Sequence, residues 1–401
     1  MSNRTKITLL LAIFLFNSFS ITHFVILSRT RWRVPALPSD VEGIDFASSF
    51  DEQKKQPSTL SSLPARPTGP LSPKLILFVD FPSYYELKNV EGPTGLAHCN
   101  AETPQKQPMK CEITQDIRLF KEADAVVFNT HQKRRVSQMA FRPIKRRGTT
   151  WTFFAVESPA FSNNKLFDRP EFRHKFNSTW TYRSDSEFKH VYVRSQLRKS
   201  PLSQEAREME EKKRRHTFRS KSKMSAIFVS HCKAPSHRDE YIAELRKHTE
   251  VDVYGHCGRL KCKERFPCNL MVSFDYKFYL AFENSICQDY VTEKVLNAMQ
   301  SGRIIPVVRG GANYSRIFPR NSVIDTSQFS SPKELAHYLN ALADDEDGWI
   351  RFFEWTWQYE IVAPLLSICE YCHHLYKPST RLYDNVYEWW AKDACQDPKD
   401  F

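Results

Sequence analysis

Glu283, Asn284, Asp289, Glu293 and Lys294 fall in one short stretch of the 401-residue chain and offer carboxylates, an amide and a lysine together. That mixture suits an anionic ligand that also carries hydroxyl groups. A lysine and an amide hold the anion, and a carboxylate accepts a hydroxyl or its proton. Two more residues are of types that such chemistry uses, though taken alone each could be an ordinary loop or surface residue. Glu157 stands just before Ser158-Pro159, and Arg238 stands near the start of a helical pattern.

The elements that must position these groups can be read from periodicity. Phe278 to Phe282 is an apolar, aromatic-rich run of strand length, and a polar loop, Glu283 to Tyr290, follows it. Val291 to Gln300 has helical spacing at Val291, Val295, Leu296 and Met299, and Gly302 sits at the C′ position. Ile304 to Val308 reads as a second buried strand, ended by Gly310-Gly311. Strand, loop, helix, strand is a βαβ crossover of a parallel sheet, whose ligands bind beyond the carboxyl ends of the strands. The helix N-terminus attracts an anion there, and Lys294 adds a full charge. The same residues could merely cap a helix, but they converge where phosphates dock.

Glu157 ends a third strand, Thr150 to Val156, after earlier ones at LILFVDFP and Ala125 to Asn129. A helical stretch is expected from Thr114 to Glu122. Ser225 to Ser230 and Val251 to Tyr254 read as strands around a helix ending at Leu245, and Ser331 to Ala343 as another helix. Alternating strands and helices predict an α/β fold.

FYLAFENSICQDYVTEK followed by SGRIIPVVRGGANY resembles the donor-binding signature of the α1,3/4-fucosyltransferases. SHCKAPSHR resembles the segment whose arginine contacts the donor diphosphate, with His231 in place of an asparagine. ESP followed by FNSTWTYRSDSE resembles the family's acidic residue and cleft-lining segment. The resemblance runs roughly from residue 74 to 375. It departs where many members have Pro-Tyr-Gly and this chain has Val191-Tyr192-Val193, which puts acceptor contacts there in doubt.

The resemblance implies two Rossmann-like domains facing a cleft (GT-B-like) and an inverting transfer of L-fucose from GDP-β-L-fucose to a GlcNAc hydroxyl of a glycan. It implies Glu157 as the base and Glu293 as a second catalytic group. Arg238, Glu283, Asn284, Tyr290 and Lys294 would bind the donor, and Tyr182, Arg183 and Asp185 would line the acceptor side. No Asp-x-Asp stands within the donor signature, so no metal or other cofactor is expected to be required, and manganese stimulation stays open. Another nucleotide sugar as donor, or an inactive glycan-binding relative, are the alternatives.

Length suggests about two domains. The net charge of +12 raises nucleic acid as a partner, but the basic residues neither form a recognition helix nor alternate with stacking aromatics. Ten cysteines fit an oxidising compartment. Ile7 to Leu27 is the expected signal anchor, and the segment from Pro35 to Pro73, rich in Pro and Ser, reads as a stem. The expected organisation is a cytoplasmic tail (1–6), a transmembrane helix (7–27), a stem (28–73), an acceptor-side domain (74–223), a donor domain (224–368) and a tail (369–401) packing back on the first domain. The resemblance implies a single-pass type II Golgi membrane protein with a lumenal catalytic domain, acting on glycoprotein or glycolipid glycans and not on nucleic acid.

Arg198 to Lys223 is strongly charged. It is expected to be a linker or insertion with a solvated helix over Glu205 to Arg215. Cys232, Cys257, Cys262, Cys268 and Cys287 cluster in one region, where disulfides are expected rather than zinc. By resemblance, the CxxC of Cys369 and Cys372 pairs with Cys99 and Cys111. Asn177 and Asn313 begin glycosylation sequons, with Asn313 crowded by its place in the donor motif.

Overall fold

The computed structural model describes residues 73–80, 95–102, 108–130, 145–162, 165–261, 265–363, 368–376 and 381–400. The anchor, nearly all of the stem, and Cys262 lie outside them, as does the side chain of Cys99. Among the described residues no helix is long and apolar enough to cross a membrane.

Continuous apolar runs form the buried strands, as expected of sheets covered on both faces. β1 (Lys74–Val79, KLILFV), β4 (Ala125–Asn129, AVVFN) and β5 (Thr150–Ala155, TWTFFA) are buried almost throughout. Fully burying one such aliphatic side chain is worth about 1.5–3 kcal/mol. With β2 (Gly95–Glu102), β3 (Pro108–Thr114), β6 (Ser178–Thr181) and β7 (Phe188–Lys189) they make a seven-stranded sheet, ordered β2-β3-β1-β4-β5-β6-β7. Only the β2–β3 pair is antiparallel.

A second, wholly parallel sheet contains β9 (Lys223–Phe228), β10 (Val251–Tyr254), β11 (Tyr276–Phe282), β12 (Ile305–Arg309) and β13 (Ile324–Asp325) in the order β10-β9-β11-β12-β13. The chain leaves β9 for β10 on one side and returns to β11 on the other. The crevice between the ends of β9 and β11 is therefore the topological switch point, where open α/β sheets bind ligands. Arg238 opens the helix after β9 (Arg238–Leu245), and the helix after β11 (Glu293–Ser301) carries Lys294. Gly302 ends that helix with φ +58, the left-handed value a C′ glycine takes at no steric cost.

The charged stretch forms one longer helix, Gln204–Ser220, started by the Ser203 hydroxyl and fixed to the protein rather than left as a linker. Arg215 and Arg219 both reach Glu346. Beside it, β8 (Arg194–Leu197) pairs antiparallel with β14 (Tyr359–Val362). Helix Ile368–Leu375 packs on the first sheet against Ile76 and Phe78, and helix Val386–Ala391 packs near Phe153 and Tyr182. Cys111 is bonded to Cys372, Cys232 to Cys257 and Cys287 to Cys395; Cys268 and Cys369 are disulfide-bonded as well.

Candidate active site

β5 delivers Glu157 to the carboxyl edge of the first sheet, and Pro159 turns the chain away behind it. Tyr192 braces this turn by donating its hydroxyl to the Val156 carbonyl at 2.9 Å. The Ser158 hydroxyl, fully buried, donates to the Ser285 hydroxyl at 2.7 Å and so ties the turn to the loop after β11. Glu157 itself is half-buried and accepts a 2.7 Å hydrogen bond at Oε2 from the Tyr290 hydroxyl. Burial, reinforced by the Glu157 charge, raises the Tyr290 pKa well above the usual phenol value, so Tyr290 remains a donor.

The opposite wall is cationic. The Arg238 side chain is almost wholly buried, donating to the carbonyls of Phe282 (3.2 Å) and His231 (3.1 Å). Its Nε has no hydrogen-bond partner and it makes no salt bridge among the described residues. Desolvation lowers its pKa from the usual arginine value, with Asp239 and Glu283 opposing that shift. A buried guanidinium without a carboxylate is costly unless an anion completes it.

Lys294 is solved differently. Its Nζ donates to Glu283 Oε2 and to the Thr292 hydroxyl, each at 2.8 Å. Glu283 is 2 % exposed and also accepts from the Thr292 backbone N–H (2.8 Å), so it caps the helix that carries Lys294. Burial raises the Glu283 pKa, and the Lys294 charge pulls it back.

These groups meet in one cleft of about 350 Å³ lined by Glu157, Tyr290, Arg238, Asn284, Glu293 and Lys294. Of the residues expected at the site, Glu283 is the donor-side exception. It lies behind Lys294 and acts through it rather than lining the cleft. Tyr182, Arg183 and Asp185 are also displaced from the lining. The Arg183 side chain pairs with Asp185 (2.8 Å), donates to the Trp389 carbonyl (2.7 Å) and lies over the Trp389 ring. Tyr182 supports the cleft from behind, its ring 4.8 Å from that of Tyr290. Asp289, with φ 60, accepts from both the backbone and the hydroxyl of Ser184.

The cleft also contains residues the sequence did not single out: Phe161, Tyr279, Asn269, Thr292 and Asn297. Asn297 lies one turn beyond Glu293 on the same helix face, a signal that was available. Asn269 came from a helix, Arg265–Asp275, that was not anticipated. Gly255 forms part of the wall at φ +95, and a Cβ there would meet the Val229 carbonyl oxygen at 2.7 Å. The Cys232–Cys257 disulfide joins the two loops at this close approach.

Among the described residues no three His, Cys, Asp or Glu side chains are grouped to hold a metal. At the sequons, the Asn177 amide donates to the Arg381 carbonyl (3.3 Å), while Asn313 is exposed and accepts from the Ser315 hydroxyl (2.7 Å).

Comparison with known proteins gives the family. Residues 72–193 match the profile "Fucosyltransferase, N-terminal" and residues 218–389 match "Glycosyltransferase family 10 (fucosyltransferase) C-term". The chain is 34% identical to alpha-(1,3)-fucosyltransferase C of Drosophila melanogaster over 67% of its own length and 65% of that protein's. It is 31% identical to 4-galactosyl-N-acetylglucosaminide 3-alpha-L-fucosyltransferase FUT6 of Pongo pygmaeus, over 75% of this chain and 80% of that one. A crystal structure of an alpha1,3-fucosyltransferase aligns at a TM-score of 0.47 and 17% identity, covering 78% of this chain and 92% of that one. With matches over both halves of the described region, this chain belongs to glycosyltransferase family 10, the fucosyltransferases.

Proposed function

We propose that this protein transfers L-fucose from GDP-β-L-fucose to a GlcNAc hydroxyl of a glycan, forming an α1,3 linkage with inversion, on a GT-B-like pair of Rossmann domains. One observation carries the reading. Arg238, buried and with no carboxylate partner among the described residues, and Lys294, paired with Glu283, face the half-buried Glu157 within a single cleft. The names of the similar proteins support fucosyl transfer and the α1,3 linkage.

The donor diphosphate lies against Arg238, Lys294 and the start of helix Glu293–Ser301, which neutralise the charge that grows as GDP leaves. The acceptor hydroxyl attacks the anomeric carbon from the face opposite GDP and gives its proton to Glu157. One displacement breaks the C–O bond to phosphate, forms the new glycosidic bond and inverts the centre. Tyr290 holds Glu157 Oε2, so the carboxylate presents its other oxygen to the acceptor. Glu293, beside Lys294, offsets positive charge on the sugar. A membrane-anchored, lumenal Golgi enzyme fits the Ile7–Leu27 segment and the disulfides.

The test is a donor panel (GDP-fucose, GDP-mannose, UDP-sugars) on defined glycans, followed by NMR of the product linkage. Transfer from GDP-fucose alone, with an α-fucosyl product, is expected. Transfer from another donor, or a β product, would refute the reading. The absence of turnover together with glycan binding would identify a fold relic.

A further inference from the structure

Beyond helix Val386–Ala391 the chain does not drift off but returns to the loop after β11. Gln288 N–H donates to the Ala394 carbonyl at 2.7 Å, and Gln396 N–H donates to the Ile286 carbonyl at 2.8 Å. Between these bonds Cys287 and Cys395 face each other as an antiparallel pair and are joined by a disulfide. The tail is thus an added strand on the loop that presents Asn284 and Tyr290 to the cleft. Cys287 falls in a variable position of the signature, and Cys395 lies far from any motif, so the pairing has no counterpart in the sequence reading.

The tail has a second attachment. Asp400 takes the Arg309 guanidinium in a bidentate grip, Nε to Oδ2 at 2.6 Å and Nη2 to Oδ1 at 2.7 Å. Arg309 is 2 % exposed and lies over the Tyr241 ring. Its Nη1 donates to the Ser236 carbonyl at 2.7 Å, and its own carbonyl accepts from Glu283 N–H at 2.9 Å. Ser236 in turn bonds the same loop, through N–H to the Asn284 carbonyl (2.9 Å) and through its hydroxyl to the Glu283 carbonyl (2.7 Å). One residue, Arg309, therefore links the tail and the turn that leads into Arg238 through its guanidinium, and the residue that holds Lys294 through its backbone carbonyl.

We propose that residues 393–400 are a strap that sets donor affinity, with Asp400 and the Cys287–Cys395 disulfide as positioning residues for Asn284, Arg238 and Lys294. The physical reason is charge. A buried guanidinium that loses its bidentate carboxylate must find another or move toward water. Either movement releases the Ser236 carbonyl and with it the register of both cationic segments. The bonds that run from Asp400 through Arg309 and Ser236 lead to the cationic wall and not to Glu157, so the effect of losing Asp400 falls on the donor. This inference rests on the cleft being a GDP-sugar site.

The experiment measures GDP binding by calorimetry, and donor KM, acceptor KM and kcat, for the full chain and for Asp400→Ala, Asp400→Glu and the Cys287→Ser/Cys395→Ser double variant. Asp400→Ala is expected to raise the GDP Kd and the donor KM together by about tenfold, with acceptor KM and saturated kcat nearly unchanged, as for loss of uniform binding. Asp400→Glu should recover most of the affinity, which a merely structural tail would not require. If Asp400→Ala does not fold, the double cysteine variant reads the other attachment and should also bind GDP more weakly. Variants that bind GDP as the parent does overturn the strap, whatever their melting temperatures. A kcat loss with donor KM unchanged overturns it too. A parent that itself binds no GDP overturns both the strap and the proposed function.

Discussion

The two walls of the cleft are built to different rules. The second sheet supplies buried charge fixed in advance: Arg238 at 3 % exposure, Glu283 at 2 %, and Lys294 held between Glu283 and Thr292. The first sheet supplies one half-buried carboxylate, Glu157, which accepts a hydrogen bond from Tyr290 across the cleft. Fixed charges pay their reorganisation cost on folding and serve binding and leaving-group stabilisation. A carboxylate that water can still reach is suited to exchanging a proton. The second wall also contrasts with itself, because among the described residues Lys294 has a carboxylate partner and Arg238 has none.

Glu157→Gln probes the division most strongly. It keeps the shape and the bond from Tyr290 but removes the base, so transfer should slow by about 10²- to 10⁴-fold. Steady-state kinetics should show the loss in kcat. Retention of more than about a tenth of the parent rate, well above that range, would make Glu157 an orienting group and move the search for the base to Glu293.

Lys294→Ala should differ from Arg238→Met in stability. Removing Lys294 leaves the buried Glu283 without its counter-charge, to stay ionised or to take up a proton against its ordinary pKa, and breaking such a pair costs about 3–5 kcal/mol. Adding Glu283→Gln should restore most of that stability without restoring donor binding, and chemical denaturation of the single and double variants reads the coupling. Equal stability of Lys294→Ala and the parent would break the distinction. Arg238→Met strands no carboxylate, so its denaturation midpoint should match or exceed that of the parent. A clear loss would mean that Arg238 is structural.

Much of this was legible in the residues, and the failures have physical causes. Continuous apolar runs announced β1, β4 and β5 in the first sheet and β11 and β12 in the second, and Gly302 marked the end of a helix. The donor signature located Asn284, Glu293 and Lys294, because the chemistry there is local in sequence. Glu283 lies behind Lys294 rather than in the lining, because spacing cannot say which carboxylate turns inward to cap the helix that follows. Arg183 and Asp185 were taken for cleft residues, yet their partner is Trp389, and nothing local signals a contact from so far along the chain. Cys395 and Asp400 were missed for the same reason. Helix Gln204–Ser220 looked like a free linker because its anchor, Glu346, lies well over a hundred residues away.

The smallest expected effect is acidic destabilisation through His190 on the first wall. Burial lowers its pKa from 6.5 to about 4, with Glu293 opposing. A depressed folded pKa gives stability that is present above the unfolded value and lost as pH falls toward the folded one. Between pH 6.5 and about 5.5 the loss should be about 1 kcal/mol, and His190→Gln should remove that slope. An unchanged slope would assign the acid sensitivity to other groups.

The division of labour between the walls is tested most directly by titrating GDP calorimetrically into the parent, Glu157→Gln and Arg238→Met under one condition. Charge-assisted contacts are worth about 1.5–3 kcal/mol each. Arg238→Met should therefore bind GDP about 10- to 100-fold more weakly. Glu157→Gln should bind it as the parent does. The opposite pattern, with GDP affinity lost at Glu157 and kept at Arg238, would contradict the account.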